Sequence, residues 1–264
     1  MTDVGGRINS QYRVRYSEGR VSLFCETTES LVEVGDSVLE TSRISRRDRN
    51  YLIKIYSILM LAFAMELAEG VVREVQAGAG KNAMRLARHI WEADLALTYV
   101  SDLPGVRLDQ ALGSDAKNRL KVLNEVQSLR VSRATYARHQ QAAANNGLPN
   151  LRDMAMAVDE RRGSSERTDE YSLKYRWASA RSHSGLTSLD DHLGADSNGR
   201  FLARRSGRSI RERQMALDIA IHALSRIVSA GGLRTGVPVD PIVESLCETA
   251  SAPLKSPRVK TVAR

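Results

Sequence analysis

Residues 51–76, YLIKIYSILMLAFAMELAEGVVREVQ, form the stretch of sequence that decides the fold. Its middle, Ile55–Met65, is almost wholly apolar and has a charged residue at each end. A run of this length is too short to cross a bilayer and is typical of a helix buried in a protein core. We therefore expect a central helix from Tyr51 to Gln76 that ends at the glycines of the following AGAG sequence.

Helical spacing of apolar residues predicts further helices on both sides of this segment. The predicted helices cover residues 23–41, 82–100, 115–144, 151–160, 171–183, 209–230 and 241–249. The connecting loops are predicted at Pro104–Gly105, at Arg161–Asp169 and in the Gly-, Ser- and Arg-rich residues 194–208, and Gly231–Gly232 is predicted to stop a helix. Strands do not alternate with helices, so the predicted fold is an all-α bundle of about seven or eight helices.

Both ends of the chain depart from this pattern. In residues 1–20, Tyr12, Val14 and Tyr16 alternate with arginines, which predicts an N-terminal arm that contains a short hairpin. Residues 21–251 then form the all-helical domain. The tail, residues 252–264, holds four basic residues and no acidic one, and we expect it to be disordered.

Charge points to a class of partner. The formal net charge is +8, from 39 Lys and Arg residues against 31 Asp and Glu, and most of the basic residues are Arg. An excess of Arg serves phosphate recognition, but it also follows from a GC-rich genome, and the spread of Arg along the chain favours the second reading. A basic balance still predicts some affinity for polyanions.

The densest basic run predicts a nucleic-acid-binding face. Its members are Arg204, Arg205, Arg208 and Arg211. The alternative is a solvated loop that leads into a helix. The expected partner is accordingly RNA or an acidic protein.

The remaining composition limits the chemistry. Cys25 and Cys247 stand far apart in the sequence, which is no disulfide framework and no metal-ligand pattern. The first residues contain no apolar segment of a signal peptide, so we expect a cytoplasmic protein without a membrane partner. Glycine-rich phosphate loops, dinucleotide fingerprints and HExxH are absent, and we expect no cofactor and no metal.

The predicted helix that begins at Tyr171 carries an unusual polar stripe. Tyr171, Tyr175, Ser179 and His183 follow one another at steps of four residues and share one helix face. This face is too polar for a core seam and too aromatic for an ordinary solvated surface. The stripe therefore predicts a site.

A second helix supplies charged partners for this stripe. Arg88 and Glu92 are spaced i,i+4 on this helix. They form either a solvated ion pair or a half-buried pair that orients a neighbouring hydroxyl or imidazole.

NAMRLARHIWEADLALTYV and EYSLKYRWASARSHSG resemble two helices of a bacterial all-helical family of unknown function, the second with the pattern Y-x3-Y-x3-S-x3-H. The resemblance spans about Met84–Leu193. It implies that one polar cluster contains Arg88, Glu92, Tyr175, Ser179 and His183.

Arg176 and His183 have the spacing R-x6-H, which is similar to the Arg/His signature of HEPN-type helical ribonucleases. The resemblance implies RNA cleavage without metal, with His183 in proton transfer at the 2′-hydroxyl and Arg176 at the phosphate. Seven residues of helix separate the two by about 10 Å along the axis. They do not converge within one helix, so the site would need a homodimer. The alternative for His183 is a structural one, in which it bonds free carbonyls at the helix end.

Two functions therefore follow from the sequence. The first is a cytoplasmic helical interaction protein that contacts polyanions. The second is a HEPN-like, metal-independent endoribonuclease with an Arg/His site formed in a dimer. The sequence does not decide whether the protein is an enzyme.

Overall fold

The computed structural model describes residues 16–48, 50–125, 132–144, 147–182, 193–195, 201–203 and 209–252, and these confirm the predicted all-α fold. The helices are α1 (Glu18–Thr41), α2 (Tyr51–Gln76), α3 (Gly80–Asp102), α4 (Pro104–Glu125), α5 (Arg133–Ala143), α6 (Leu151–Arg162), α7 (Glu166–Glu170), a π-helical turn (Tyr171–Tyr175), α8 (Arg176–Ser182), α9 (Ile210–Thr235) and α10 (Asp240–Ser251). Two short antiparallel strands, β1 (Leu193–Ala195) and β2 (Phe201–Ala203), pair with Leu193 opposite Ala203.

The N-terminal arm predicted over residues 1–20 contains the start of the first helix. Most of the predicted hairpin and most of the basic tail lie outside the described residues. Helix α1 begins at Glu18, inside the predicted arm, because Ser17 caps it: its Oγ accepts a hydrogen bond from the backbone N–H of Arg20 at 3.2 Å.

The core lies between the four longest of the described helices, α1, α2, α3 and α9, which pack on one another. Leu31, Leu61, Trp91 and Leu224, one from each helix, are fully buried in it. Helices α6 and α8 pack on α3, and α10 packs on α1 and α9. Helices α4 and α5 pack on each other. This arrangement places one flank of α3 against the α7–α8 segment.

Helix α2 has the predicted bounds but is less covered than predicted. An apolar stripe at helical spacing faces solvent along it, formed by Leu52, Ile55, Leu59 and Phe63. Leu59 is 63% exposed. The opposite side, which includes Leu61 and Val71, is completely buried.

Two helices, α2 and α9, are long and apolar enough to cross a membrane by length and composition alone. Core helices of soluble proteins share this property. The most apolar window of α9 is 67% buried inside the protein, and that of α2 is 44% buried.

The predicted stop at Gly231–Gly232 is wrong, because these glycines serve packing. Helix α9 continues to Thr235 and ends at Gly236, whose φ is 80°. A Cβ on Gly232 would lie 2.4 Å from Val239 Cγ2, and one on Gly231 would lie 3.1 Å from Leu61 Cδ2. The missing side chains let neighbouring segments approach α9.

Two other boundaries differ from the prediction. Pro104 begins α4 instead of marking a loop, since a proline in the first helical turn loses no hydrogen bond. The single helix predicted over residues 115–144 is two helices. Ser132 begins the second by accepting a hydrogen bond from the Thr135 N–H at 3.1 Å.

The predicted loop Arg161–Asp169 contains a helix that positions the site. Gly163, with φ of 65°, ends α6, and helix resumes at Glu166. The Asp159 carboxylate holds this turn by accepting from the N–H groups of Arg167 and Thr168 at 3.0 and 2.8 Å. Burial acts to raise the pKa of Asp159, but these hydrogen bonds outweigh it and lower the pKa.

Candidate functional site

An aromatic stack joins α3 to the π-helical turn. The rings of Tyr171 and Tyr175 are nearly parallel, with centroids 5.2 Å apart. Trp91 of α3 lies 5.0 Å from the Tyr175 ring and 6.3 Å from the Tyr171 ring. A π-helical turn inserts an extra residue into a helix, and such turns occur frequently at functional sites.

Glu92 collects polar groups beside this stack, and we call the set the Glu92 cluster: Arg88, His89, Glu92 and Tyr175. The Tyr175 hydroxyl donates to Glu92 Oε1 at 3.0 Å, and His89 Nδ1 lies 2.9 Å from Oε2. Arg88 Nε is 3.3 Å from Oε1, which is an ion pair without hydrogen-bond geometry. The Arg88 and Glu92 side chains are only 16% and 26% exposed, so the pair is half-buried.

The electrostatics of the Glu92 cluster act on the Tyr175 phenol. Burial, followed by the negative charge of Glu92, raises the pKa of Tyr175 to about 12. The phenol is therefore a hydrogen-bond donor at neutral pH. With Nδ1 held by Glu92, His89 keeps Nε2 for exchange of a proton or hydrogen bond outside the cluster. A carboxylate-oriented imidazole beside a cation can bind an anion or transfer a proton.

A second set of charges lies behind the stack, and we call it the buried ionic network: Asp94, Arg167, Glu170 and Arg226. Asp94 and Arg167 are 1% and 3% exposed and form a two-pronged ion pair with N–O distances of 2.5 and 3.2 Å. Arg226 Nε bonds Asp94 Oδ2 at 2.8 Å. The two terminal nitrogens of Arg226 each bond an oxygen of Glu170 at 3.1 Å. The network therefore ties α3, α7 and α9 together.

Trp91 links the network to the aromatic stack, because its Nε1–H donates to Glu170 Oε2 at 3.2 Å. Burial acts to raise the pKa of Glu170, but the charge and hydrogen bonds of Arg226 and Arg167 lower it overall. Burial likewise acts to lower the pKa of Arg167, and Asp94 reverses this and raises it.

Sequence reasoning missed this network. It placed Arg167 in a loop and did not single out Asp94. A signal was present for Asp94, which stands three residues after Trp91 and one before Leu95, on the buried face. For Arg167 the signal was a glycine that can end a helix, Gly163, followed by two residues that can begin the next one, Ser165 and Asp169. In the structure the Ser165 hydroxyl donates to the Asp169 carboxylate at 2.9 Å.

The structure brings together three residues of the predicted cluster: Arg88, Glu92 and Tyr175. Ser179 is half-buried one turn after Tyr175, and its side-chain hydroxyl makes no hydrogen bond with the described residues. His183 lies outside the described residues, as do Arg204, Arg205 and Arg208.

Arg211, the described member of the basic run, lies at the start of α9 against two aromatic rings. Its guanidinium carbon is 5.7 Å from the Trp177 ring centroid and 5.8 Å from that of Tyr16. Tyr16 is exposed, and Trp177 is half-buried. Arg176, next to Trp177 in the chain, is exposed. We call these four residues the Trp177 face.

The described residues contain no group of three His, Cys, Asp or Glu side chains that could hold a metal ion. Cys25 and Cys247, both within that part of the chain, are free thiols. Burial raises the pKa of the Cys25 thiol to about 11, which makes it a poor nucleophile.

Comparison with known proteins gives a match to a protein family. A family model, described as a family of unknown function (DUF5677), matches residues 54–201. No curated protein and no solved structure matches the chain. The matched range contains the whole Glu92 cluster and Arg167, but it ends before Arg211 and Arg226. The similarity to HEPN-type ribonucleases has no counterpart among these results.

Proposed function

The chain belongs to DUF5677, a family of unknown function, and we propose that it is a helical interaction protein that binds single-stranded RNA. The family membership confirms the resemblance seen in the sequence but supplies no activity. The observation that carries the proposal is the placement of Arg211 against the rings of Trp177 and Tyr16.

Proteins that bind single strands combine cations for the phosphates with aromatic rings on which bases stack. The Trp177 face offers both within one small surface. The Arg211 guanidinium contacts two rings, and the exposed Arg176 is adjacent in the chain to Trp177. Arginine serves this purpose well, since its planar group stacks on rings and bonds phosphate oxygens at the same time.

Charge supports the same partner. The chain carries a net charge of +8, and Arg204, Arg205 and Arg208 directly precede α9 in the sequence. Cations alone would suit an acidic protein equally well. Aromatic rings among the cations favour nucleotide bases over carboxylate side chains, and for this reason we propose RNA.

Fluorescence anisotropy with a labelled single-stranded RNA, over a series of salt concentrations, tests the proposal. Arg211→Gln and Arg176→Gln should each weaken binding, and each should reduce the slope of log K against log salt by about 0.7, the value for one contact to a single-strand phosphate. Arg138→Gln is the matched control, because Arg138 is exposed on α5. It should leave both quantities unchanged.

Two outcomes would contradict the proposal. One is the absence of RNA binding at low salt. The other is equal binding of RNA and polyglutamate with no effect of Trp177→Leu, which would indicate an acidic protein partner.

A second candidate is metal-independent RNA cleavage by Arg176 and His183. It is favoured by the exposed position of Arg176 on α8, whose last described residue, Ser182, directly precedes His183 in the chain. The exposed guanidinium has no ion pair with the described residues, so it is available for a phosphate.

Incubation with single-stranded RNA in chelator tests this activity, together with light scattering for the dimer that the site requires. The wild type should cleave, whereas His183→Ala and Arg176→Gln should not. Equal cleavage by wild type and variants would indicate a contaminating nuclease. A monomer without cleavage would leave RNA binding as the function.

A further inference from the structure

The solvent-facing side of α2 takes no part in the sites described above. Leu52, Ile55, Leu59 and Phe63 are each between 39% and 63% exposed. Their spacing of three or four residues places them on one stripe, which we call the α2 stripe and which extends about 16 Å along the helix axis. Single exposed apolar residues are ordinary, but a continuous row of them marks a surface that contacts another molecule.

The two ends of the α2 stripe carry charges of opposite sign. Before its N-terminal end, Arg46 and Arg47 are exposed and form no ion pair with the described residues. Beyond its C-terminal end, Glu66 continues the stripe at helical spacing, is exposed and also lacks an ion pair within the part of the chain that the structure describes. Two further pairs of charges nearby cancel in ion pairs, Lys54 with Asp48 and Arg73 with Glu69. The stripe is therefore apolar in its middle, positive at one end and negative at the other.

We propose that the α2 stripe binds the α2 stripe of a second copy of this chain, with the two helices antiparallel. A twofold axis then passes near the middle of the stripe, so that Leu52 of each copy lies opposite Phe63 of the other. Glu66 is about 13 Å from this axis along the helix. At the same distance on the other copy lies the turn before α2, and Glu66 there meets the side chains of Arg46 and Arg47.

Charge decides both the orientation and the kind of partner. Parallel helices would place Glu66 against Glu66 and the arginines against the arginines, and like charges that face each other oppose binding. An anionic lipid surface would attract Arg46 and Arg47 but repel Glu66. A second copy satisfies both ends of the stripe at once, because a twofold interface presents the same surface from both sides.

Sedimentation equilibrium of the whole chain, at protein concentrations up to about 0.5 mM, measures the dimer. One helix face forms a small interface, below about 1,200 Å² in total, so the dimer should be weak and its fraction should rise with concentration. Leu59→Glu should weaken dimerisation about tenfold or more, because it brings two carboxylates together near the twofold axis. Val122→Glu is the control, since Val122 is 48% exposed on a different helix, α4, and it should dimerise as the wild type does.

An exchange of charges tests the antiparallel orientation. Arg46→Glu/Arg47→Glu and Glu66→Arg should each dimerise more weakly than the wild type, since each variant places like charges at both ends of the interface. When the two variants are mixed, they should form a heterodimer, because every contact between the ends then joins opposite charges. All three positions are exposed, so circular dichroism of both variants should match that of the wild type.

Three outcomes would overturn the proposal. The first is a monomer at every concentration. The second is a dimer that neither Leu59→Glu nor the charge variants weaken, or variants that fail to associate when they are mixed. The third is a monomer that binds vesicles containing phosphatidylserine and loses this binding in Leu59→Glu, which would make the α2 stripe a lipid-binding surface.

The proposal does not rest on RNA binding or on RNA cleavage. Arg176→Gln, which should impair both, should dimerise as the wild type does, because Arg176 lies on α8. A dimer without RNA binding and RNA binding by a monomer are therefore distinguishable results.

Discussion

At the scale of single residues, two carboxylates of α3 have different tasks. Asp94 is sealed in the buried ionic network by two guanidinium groups, whereas Glu92, two residues earlier, is half-buried and shared by a tyrosine, a histidine and an arginine. An unpaired charge inside a protein is far more costly than a paired one. The network therefore holds α7 in place against α3 and α9. Because Tyr175 follows α7 in the chain, the network also helps to position the Glu92 cluster.

Asp94→Ala should be strongly destabilising, by about 3–5 kcal/mol, because it leaves Arg167 buried without its main counter-ion. Urea unfolding followed by circular dichroism measures this. The double variant Asp94→Leu/Arg167→Met replaces both charges by apolar groups and should recover much of the loss. A single variant as stable as the wild type would show that the pair is open to solvent.

Glu92→Ala should lower the free energy of unfolding by about 1–3 kcal/mol, since in a half-buried place Tyr175 loses its hydrogen-bond acceptor and Arg88 loses its counter-ion. Glu69→Ala is a matched control, because Glu69 forms an exposed i,i+4 ion pair with Arg73 at 3.4 Å. Such exposed pairs contribute about 0.3–0.5 kcal/mol. Equal effects of the two substitutions would mean that the Glu92 cluster contributes no more than a surface pair.

The lowered pKa of Glu170 predicts how stability depends on pH. A carboxyl whose pKa is lower in the folded than in the unfolded state contributes stability above its unfolded pKa, about 4.3 for Glu. This contribution is lost as pH falls from there through the folded pKa. Urea unfolding of the wild type should therefore show falling stability below about pH 4–5, and Glu170→Gln should show a shallower fall. If stability falls equally steeply with pH in the wild type and in Glu170→Gln, other groups such as Asp159 cause the loss of stability in acid.

At the scale of helices, the sequence predicted helix bounds correctly where neighbouring residues in the chain determine them. The apolar run and the following glycine were sufficient to place α2 at Tyr51–Gln76, and Gly78 does adopt a left-handed φ of 77°. The same reasoning failed at Gly231–Gly232, where the glycines serve contacts with residues distant in sequence. It also failed at Arg167, whose helix is held by partners on α3 and by Asp159 of α6. No periodicity within a segment carries that information.

Two glycine-to-alanine substitutions should change the stability of the protein in opposite directions. Gly232→Ala should be destabilising, because its Cβ would lie 2.7 Å from the carbonyl oxygen of Val237 as well as against Val239. Gly105→Ala, in the first turn of α4 with nothing within 4 Å of the new Cβ, should stabilise by about 0.5–1 kcal/mol. Thermal denaturation of both variants measures the difference. A harmless Gly232→Ala would refute the packing explanation for the continued helix.

At the scale of the whole molecule, the fold class could be predicted and the site only in part. Helical periodicity along most of the chain was enough for an all-α bundle. The contact between Glu92 and Tyr175 was expected from a family resemblance, whereas the buried ionic network and the Trp177 face depend on how α3, α8 and α9 pack. Arg226 and Arg211 belong to a helix far along the chain from their partners, so only the assembled bundle shows their roles.

The claim that single-stranded RNA lies on the Trp177 face is tested most directly by ultraviolet cross-linking, followed by mass spectrometry of the cross-linked peptides. Aromatic side chains that stack on bases should react, so the account predicts adducts on the peptides that contain Trp177 or Tyr16, with the yield reduced in Arg211→Gln. Adducts confined to other surfaces, such as α5, would contradict the account. So would the absence of any adduct on the protein when RNA is bound to it at low salt.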